Sequence, residues 1–255
     1  MSIPTDLPDH SNLHGYYQPS DYNSTTGVWT DTSGAGNHIT STSSSKPQFI
    51  QGTGDESAFG FVQFRVSPHT HMHFPNNMLY HGSQAKNYTF FAVARRGIHG
   101  SSSYDNNGRF FQDQDRNFLI GWWSTAEGVF YHDGAVGWTN QGYEKNWGIV
   151  ADKQQKTWAV GYTGTLPGIT RKPTSGYYTN TGGNGSVDYD KLRINTGKYN
   201  EICDFMVAEI IIYKTELSDS DVESVMAYLE TRYYGSDGTS GVGNMGQPKA
   251  PTNLS

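Results

Sequence analysis

The chain has 255 residues, 35% of them hydrophobic and 14% aromatic, with 30 glycines and a formal net charge of −6. Disordered chains are poor in aromatics, so this one folds, and its length suits one β domain of about 200–250 residues better than two small ones. The acidic balance argues against nucleic acid, because phosphate contacts need a concentrated basic footprint; Arg95-Arg96 and Arg171-Lys172 are the only basic dipeptides.

The N-terminal residues MSIPTDLPDHSNLHGYY lack the basic and apolar regions of a secretory signal. No run approaches the roughly 18 consecutive apolar residues of a spanning helix, so no membrane insertion is expected. A single cysteine, Cys203, precludes an intrachain disulfide and a Cys-based zinc site. The expectation is synthesis in a cytosol without a signal peptide, with any extracellular role reached through assembly into a virus particle or lysis.

Residues 1–12 read as an N-terminal arm. Between them and residue 235, short apolar or alternating segments recur among clusters of Gly, Asn, Ser and Asp: Gly60–Val66, Tyr88–Ala94, Arg109–Phe111, Phe118–Trp123, Gly128–Tyr131, Trp147–Val150, Thr157–Tyr162 and Phe205–Tyr213. Strand-length runs with almost no helical period predict an all-β sandwich or barrel over residues 13–235. The polar stretch Thr179–Ser186 reads as a long loop. One helix is expected. Ser218 stands three residues before Asp221 in a capping-box pattern, Leu217 and Val222 can form the accompanying staple, and Val222, Val225, Met226 and Leu229 repeat at helical spacing. Arg232 suits its last turn, and Gly235 its stop. Residues 236–255 form a Gly/Ser-rich linker, whose ending, Gln247-Pro248-Lys249-Ala250-Pro251-Thr252-Asn253-Leu254-Ser255, looks like the truncated first strand of a fibronectin type III domain or a short docking tail.

Two blocks carry a family signature. One is Val28-Trp29-Thr30-Asp31-Thr32-Ser33-Gly34-Ala35-Gly36-Asn37-His38; the other is Phe205–Tyr213 followed by Leu217-Ser218-Asp219 and the helix ending Tyr228–Tyr233. Together they resemble the laminin-G-like, concanavalin A-like jelly-roll domains, and Asn117–Trp123 with Tyr131-His132-Asp133-Gly134 is similar to the variants in phage and algal-virus virion proteins. The resemblance implies a two-sheet antiparallel jelly roll with one C-terminal helix. It says little about activity, because that fold hosts lectins, hydrolases, lyases and structural modules.

Within the first block, Trp29 is expected to pack on the sandwich while Asp31 caps a turn and Gly34 and Gly36 take positive φ. The alternative is calcium: Asp31 and Asn37 would be ligands, joined by Asp113, Asp115, Asp133 or Asp188 to reach about six to eight oxygens. No cofactor is required. His69, His71 and His73 alternate, so on a strand they would share one face, as a polar edge or a transition-metal site.

Glu209 is the only charged residue in Phe205–Tyr213, and simple alternation puts Phe205, Val207, Glu209, Ile211 and Tyr213 on one face. A retaining glycosidase needs a second carboxylate about 5–5.5 Å away, but Ile211 stands two residues on. Glu209 therefore reads as a buried acid met by backbone or arginine. Tyr–His lyase motifs, a Gly-x-Ser-x-Gly elbow and phosphate-binding glycine loops are absent.

The richest constellation is Trp122, Trp123, Tyr131, His132, Asp133, Trp138, Tyr143 and Trp147, spread over 26 residues among polar neighbours. Aromatic faces stack on the apolar faces of sugars. Strand alternation sends one of Trp122 and Trp123 inward, and Trp138, expected in a loop, is the best candidate for exposure. The reading that follows is a non-catalytic, lectin-like module on a phage or virus particle that contacts cell-surface or extracellular glycan. The alternatives are a structural virion protein, with partners among other virion proteins or copies of itself, and a polysaccharide-cleaving enzyme.

Overall fold

A computed structural model describes residues 3–52, 59–81, 84–85, 87–97, 108–123, 126–132, 135–141, 147–153, 156–161 and 190–234; at 80–81, 84–85, 126–128, 135–141, 156–161 and 234 it describes the backbone alone. In chain order the strands are β1 (Leu13–Tyr17), β2 (Tyr22–Asn23), β3 (Val28–Trp29), β4 (Ile39–Thr40), β5 (Gln48–Gln51), β6 (Gly60–Phe64), β7 (Met72–His73), β8 (Tyr80–His81), β9 (Gln84–Ala85), β10 (Thr89–Arg96), β11 (Phe111–Asp113), β12 (Phe118–Trp123), β13 (Ala126–His132), β14 (Ala135–Gln141), β15 (Gly148–Lys153), β16 (Lys156–Gly161), β17 (Leu192–Ile194) and β18 (Phe205–Tyr213). The helix α1 spans Asp219–Tyr234.

Two antiparallel sheets form a jelly-roll sandwich. The smaller has the order β16-β15-β10-β18-β6-β5, and β1 joins the far half of β18 on the same edge as β6. The larger runs β14-β13-β12-β11-β17-β7-β4-β3-β2. Side chains directly opposite in antiparallel pairs share a face, and the larger sheet's register sorts cleanly. Met72, Ile194, Phe111, Ile120 and Phe130 form one cross-strand row and all enter the inter-sheet core. The next row is Thr40, His73, Arg193, Gln112, Leu119, Tyr131 and Val136, on the outer face.

Between the sheets, Trp122, Phe110, Phe205 and Phe64 stack in sequence with centroids 4.9, 4.1 and 4.8 Å apart. The outer face of the smaller sheet is covered by α1: Val222, Val225, Met226, Leu229 and Tyr233 bury against Phe91, Val93, Met206, Ala208, Ile211 and Tyr213. The helix starts as its sequence requires. The Asp221 N–H donates to Ser218 Oγ (3.1 Å), and Leu217 and Val222 pack in one cluster. No helix of the described residues is long and apolar enough to cross a membrane.

The single-face reading of β18 fails at one residue. Val93 pairs with Glu209 but Ala94 with Val207, so Ala208 is an extra residue in a β-bulge. Phe205 and Val207 face the inter-sheet core, whereas Ile211 and Tyr213 face the helix. Trp138 is likewise in strand β14 rather than a loop, because Ala135–Gln141 continues the sheet by pairing with β13.

Candidate functional site

The outer face of the larger sheet changes character along its row. Over Thr40, His73, Arg193 and Gln112 it is polar; at β12 and β13 it becomes apolar. Leu119 and Val129 are buried there, and the half-buried rings of Trp123 and Tyr131 pack on them. Adjacent-strand register brings these residues together: Leu119 lies opposite Tyr131, and Val129 opposite Trp138. Plain alternation along β12 sends Phe118, Ile120 and Trp122 into the core and Leu119 and Trp123 outward. Between Ile120 and Trp122, Gly121 takes a φ of +90°, and a Cβ there would lie 3.0 Å from Val150.

Strand-borne aromatic rings on a buried aliphatic floor are already ordered before a ligand arrives. They offer a flat apolar surface with phenol and indole edges at its rim, which suits the C–H face of a sugar.

Of the residues expected to contact ligand, Trp123 and Tyr131 meet on this surface, and Trp138 is joined to it by register. Two others belong to the core. Trp122 stacks on Phe110, and Trp147 is buried among Phe59, Phe61 and the Arg95 guanidinium, 4.9 Å from its ring. Full burial follows from their inward positions and removes them from ligand contact. His132 also faces inward at the end of the core. Its ring stacks on Phe118 (4.8 Å), and its Nε2 lies 3.3 Å from Oδ2 of buried Asp152, which also accepts a 2.6 Å bond from the Tyr88 hydroxyl. This contact ties one sheet to the other. Asp133 and Tyr143 lie outside the described residues. Leu119 and Val129, the floor of the patch, escape a sequence search for polar or aromatic ligand residues; their alternation with Phe118, Ile120 and Phe130 is the available signal.

Of the calcium candidates, Asp133 and Asp188 lie outside the described residues, and the others are engaged within turns. Asp31 Oδ1 accepts the N–H groups of Tyr16 (3.0 Å) and Ser33 (2.8 Å), and Oδ2 accepts that of Asn37 (2.9 Å). The Asn37 amide donates to the His14 carbonyl. Asp113 is similarly held by the N–H groups of Asp115, Arg116 and Lys191, and Asp115 pairs with Lys191. These carboxylates cap turns, with Gly34 and Gly36 at positive φ as expected.

The three histidines of the transition-metal reading also hold partners within the protein. His69, His71 and His73 do share a face, with buried Thr70 and Met72 between them and buried Phe74 after them. Their rings form a ladder, 5.0 and 5.2 Å between centroids. His69 Nε2 meets the Asn195 carbonyl, while those of His71 and His73 meet the Thr42 hydroxyl. No group of three or more His, Cys, Asp or Glu among the described residues is arranged to hold a metal ion. Burial, followed by the Arg193 charge and His71, depresses the His73 pKa to about 4; His71 is lowered as well, again chiefly by burial.

Glu209 is fully buried beneath α1, its Oε2 2.7 Å from the Tyr233 hydroxyl and 3.0 Å from Arg232 Nε. It is the arginine-met internal acid that its sequence context predicts.

No protein-family model and no curated protein matches the chain in sequence. Its structure is similar to the binding domain of botulinum neurotoxin DC in complex with SialylT, at a TM-score of 0.52 and 13% identity over 90% of this chain and 55% of that one. The same domain in complex with rat synaptotagmin II gives 0.51 and 13% over 89% and 53%. A structure of botulinum neurotoxin type C, whose cell entry depends on interaction with two ganglioside molecules, gives 0.51 and 13% over 88% and 52%. The chain thus spans about half the length of these structures, and at such identities the likeness is one of fold.

Proposed function

We propose that the chain is a non-catalytic, lectin-like module that binds glycan on the outer face of its larger sheet, with Trp123 and Tyr131 as the stacking rings. The half-buried aromatic pair over Leu119 and Val129 carries this reading. The fold shared with the binding domain of botulinum neurotoxin DC, seen in complex with SialylT, and with botulinum neurotoxin type C, whose cell entry depends on two ganglioside molecules, supports it. Glu209 supports the non-catalytic part: a carboxylate with no exposure beneath a helix has no access to a glycosidic bond. The setting we propose is a phage or virus particle reaching an extracellular or cell-surface glycan, which rests on the resemblance of Asn117–Trp123 and Tyr131-His132-Asp133-Gly134 to the variants in virion proteins.

The test is a glycan array probed with the wild-type chain and with Trp123→Ala and Tyr131→Ala, with calcium and with chelator. Binding that falls about tenfold or more in either variant, equivalent to about 1.4 kcal/mol, and that ignores chelator is expected. Absence of binding to every glycan, together with a stable oligomer by light scattering, would overturn the lectin reading in favour of a structural virion protein.

A further inference from the structure

The turn between β17 and β18 is built with unusual care for a surface segment. Asn195 and Asn200 are non-glycine residues in the left-handed region, with φ of 58° and 51°. Asn195 is fully buried: its side chain donates to the Arg65 and Thr70 carbonyls and accepts the Cys203 N–H, and its own N–H reaches the Phe110 carbonyl. The Lys198 N–H donates to the Asp113 carbonyl. Gly197 lies flat on Gln112, where a Cβ would fall 2.5 Å from that side chain. The turn is therefore pinned at both ends and along its underside.

At its tip stands Tyr199, 46% exposed and, with Phe49, one of the two exposed large hydrophobic side chains of the described residues. Arg109 is set against it, with the guanidinium carbon 5.1 Å from the ring centroid. That guanidinium is held in turn by Glu201 and by Asn117 Oδ1 (2.8 Å). The ring is thus supported by a fixed group, and the exposed Lys198 ammonium lies 5.5 Å from its centroid on a flexible stem. An ordered, half-exposed aromatic ring with an exposed ammonium over it on a flexible stem has the two elements that a sugar needs: once the stem swings aside, a face for C–H stacking, and a donor for hydroxyl or carboxylate oxygens.

The turn also borders the surface already described. Gln112, beneath Gly197, is opposite Leu119, which is opposite Tyr131. Two strand spacings, about 10 Å, separate the strand beneath the turn from the strand of Tyr131. Asn117, which holds Arg109, lies on the approach to β12, two residues before Leu119.

We infer that Tyr199, with Lys198, is a second sugar platform, and that the chain takes an oligosaccharide lying across β11, β12 and β13 rather than a single sugar. This rests on the lectin-like reading of the Trp123–Tyr131 surface. Tyr199→Ala, Tyr199→Phe, Lys198→Ala, Trp123→Ala and Tyr131→Ala are tested on an array carrying neutral, sialylated and uronate-containing oligosaccharides beside the matching monosaccharides. Affinities for the strongest wild-type hit are then measured by calorimetry. Tyr199→Ala, at an exposed position, should keep the wild-type melting temperature and lose about tenfold or more in oligosaccharide affinity, with Tyr199→Phe close to wild type. Lys198→Ala should lose most for acidic glycans.

Wild-type affinity in Tyr199→Ala, with binding lost in Trp123→Ala or Tyr131→Ala, would overturn the second platform and leave the lectin reading standing. Loss in Tyr199→Ala alone would overturn the oligosaccharide bridging the two surfaces. A wild-type chain that binds no glycan would overturn both.

Discussion

The Tyr233 hydroxyl donates a 2.7 Å hydrogen bond to Oε2 of Glu209, joining the last turn of α1 to the strand it covers. Arg232 Nε, from the same turn, lies 3.0 Å from the same oxygen. The bulge at Ala208 is what aims Glu209 at the helix; without it the acid would follow its neighbours' alternation. Losing the hydrogen bond to a buried carboxylate costs about 1.5–3 kcal/mol, so Tyr233→Phe should lower the urea midpoint accordingly while leaving the slope unchanged.

The same acid makes stability depend on pH. Burial pushes the Glu209 pKa above its ordinary 4.5, opposed by Arg232 and then by the hydroxyls of Tyr233, Tyr16 and Tyr228. With the folded value raised, the folded state binds more protons than the unfolded state, so this group's contribution falls as pH rises from about 4.5 through the folded value. Glu209→Gln removes that dependence. Its stability relative to wild type should be greater at pH 7 than at pH 4, and an equal difference at the two pH values would contradict the raised pKa.

His73 acts in the opposite direction. Its folded pKa, near 4, lies below the ordinary 6.5. Here the unfolded chain takes up the proton first, so stability is complete above about pH 6.5 and falls as pH drops toward 4. Proton NMR should place the His73 midpoint near 4, and His73→Asn should flatten the stability profile between those limits. A midpoint near 6.5 would show that Arg193 and burial leave the ring unaffected.

Asp31 is a structural acceptor for three backbone N–H groups. Asp31→Ala leaves them without that partner, at about 1–3 kcal/mol for each one buried from water, and should reduce the melting temperature more than Asp31→Asn, which keeps one oxygen. Calcium or chelator should leave the wild-type melting temperature unchanged, since a bound ion would raise it by mass action.

The adjacent tryptophans should separate in thermal denaturation. Trp122→Ala opens a hole in the inter-sheet stack and is expected to cost about 3–5 kcal/mol; Trp123→Ala, on the outer face, should cost clearly less and act on binding instead. Gly121→Ala forces a side chain into positive φ against Val150, a strain of about 1–3 kcal/mol. Equal losses for Trp122→Ala and Trp123→Ala would contradict the assignment of their faces.

Phe118–Trp123 and Phe205–Tyr213 could be bounded from sequence because short segments dominated by aromatic and aliphatic residues between polar clusters favour a strand. The helix was equally legible, through Ser218, Leu217 and the Val222–Leu229 stripe. Trp138 was misplaced because Gly137 and Asn140 beside it look like turn residues, and pairing with β13 overrides that local preference. The stapled turn around Asn195 left no local trace either: its partners Arg65, Thr70 and Phe110 are remote in sequence.

The sequence by itself determined an all-β sandwich or barrel with one capped helix and an internal acid at position 209, because strand runs, caps and hydrophobic period are local properties; the two-sheet arrangement came only from the family resemblance. Only the tertiary structure decided which aromatic rings are available to a partner. A one-residue bulge such as the one at Ala208 changes the face of the residues beyond it, and the contacts that bury Trp122 and Trp147 or leave Trp123, Tyr131 and Tyr199 nearer the surface come from elements remote in sequence.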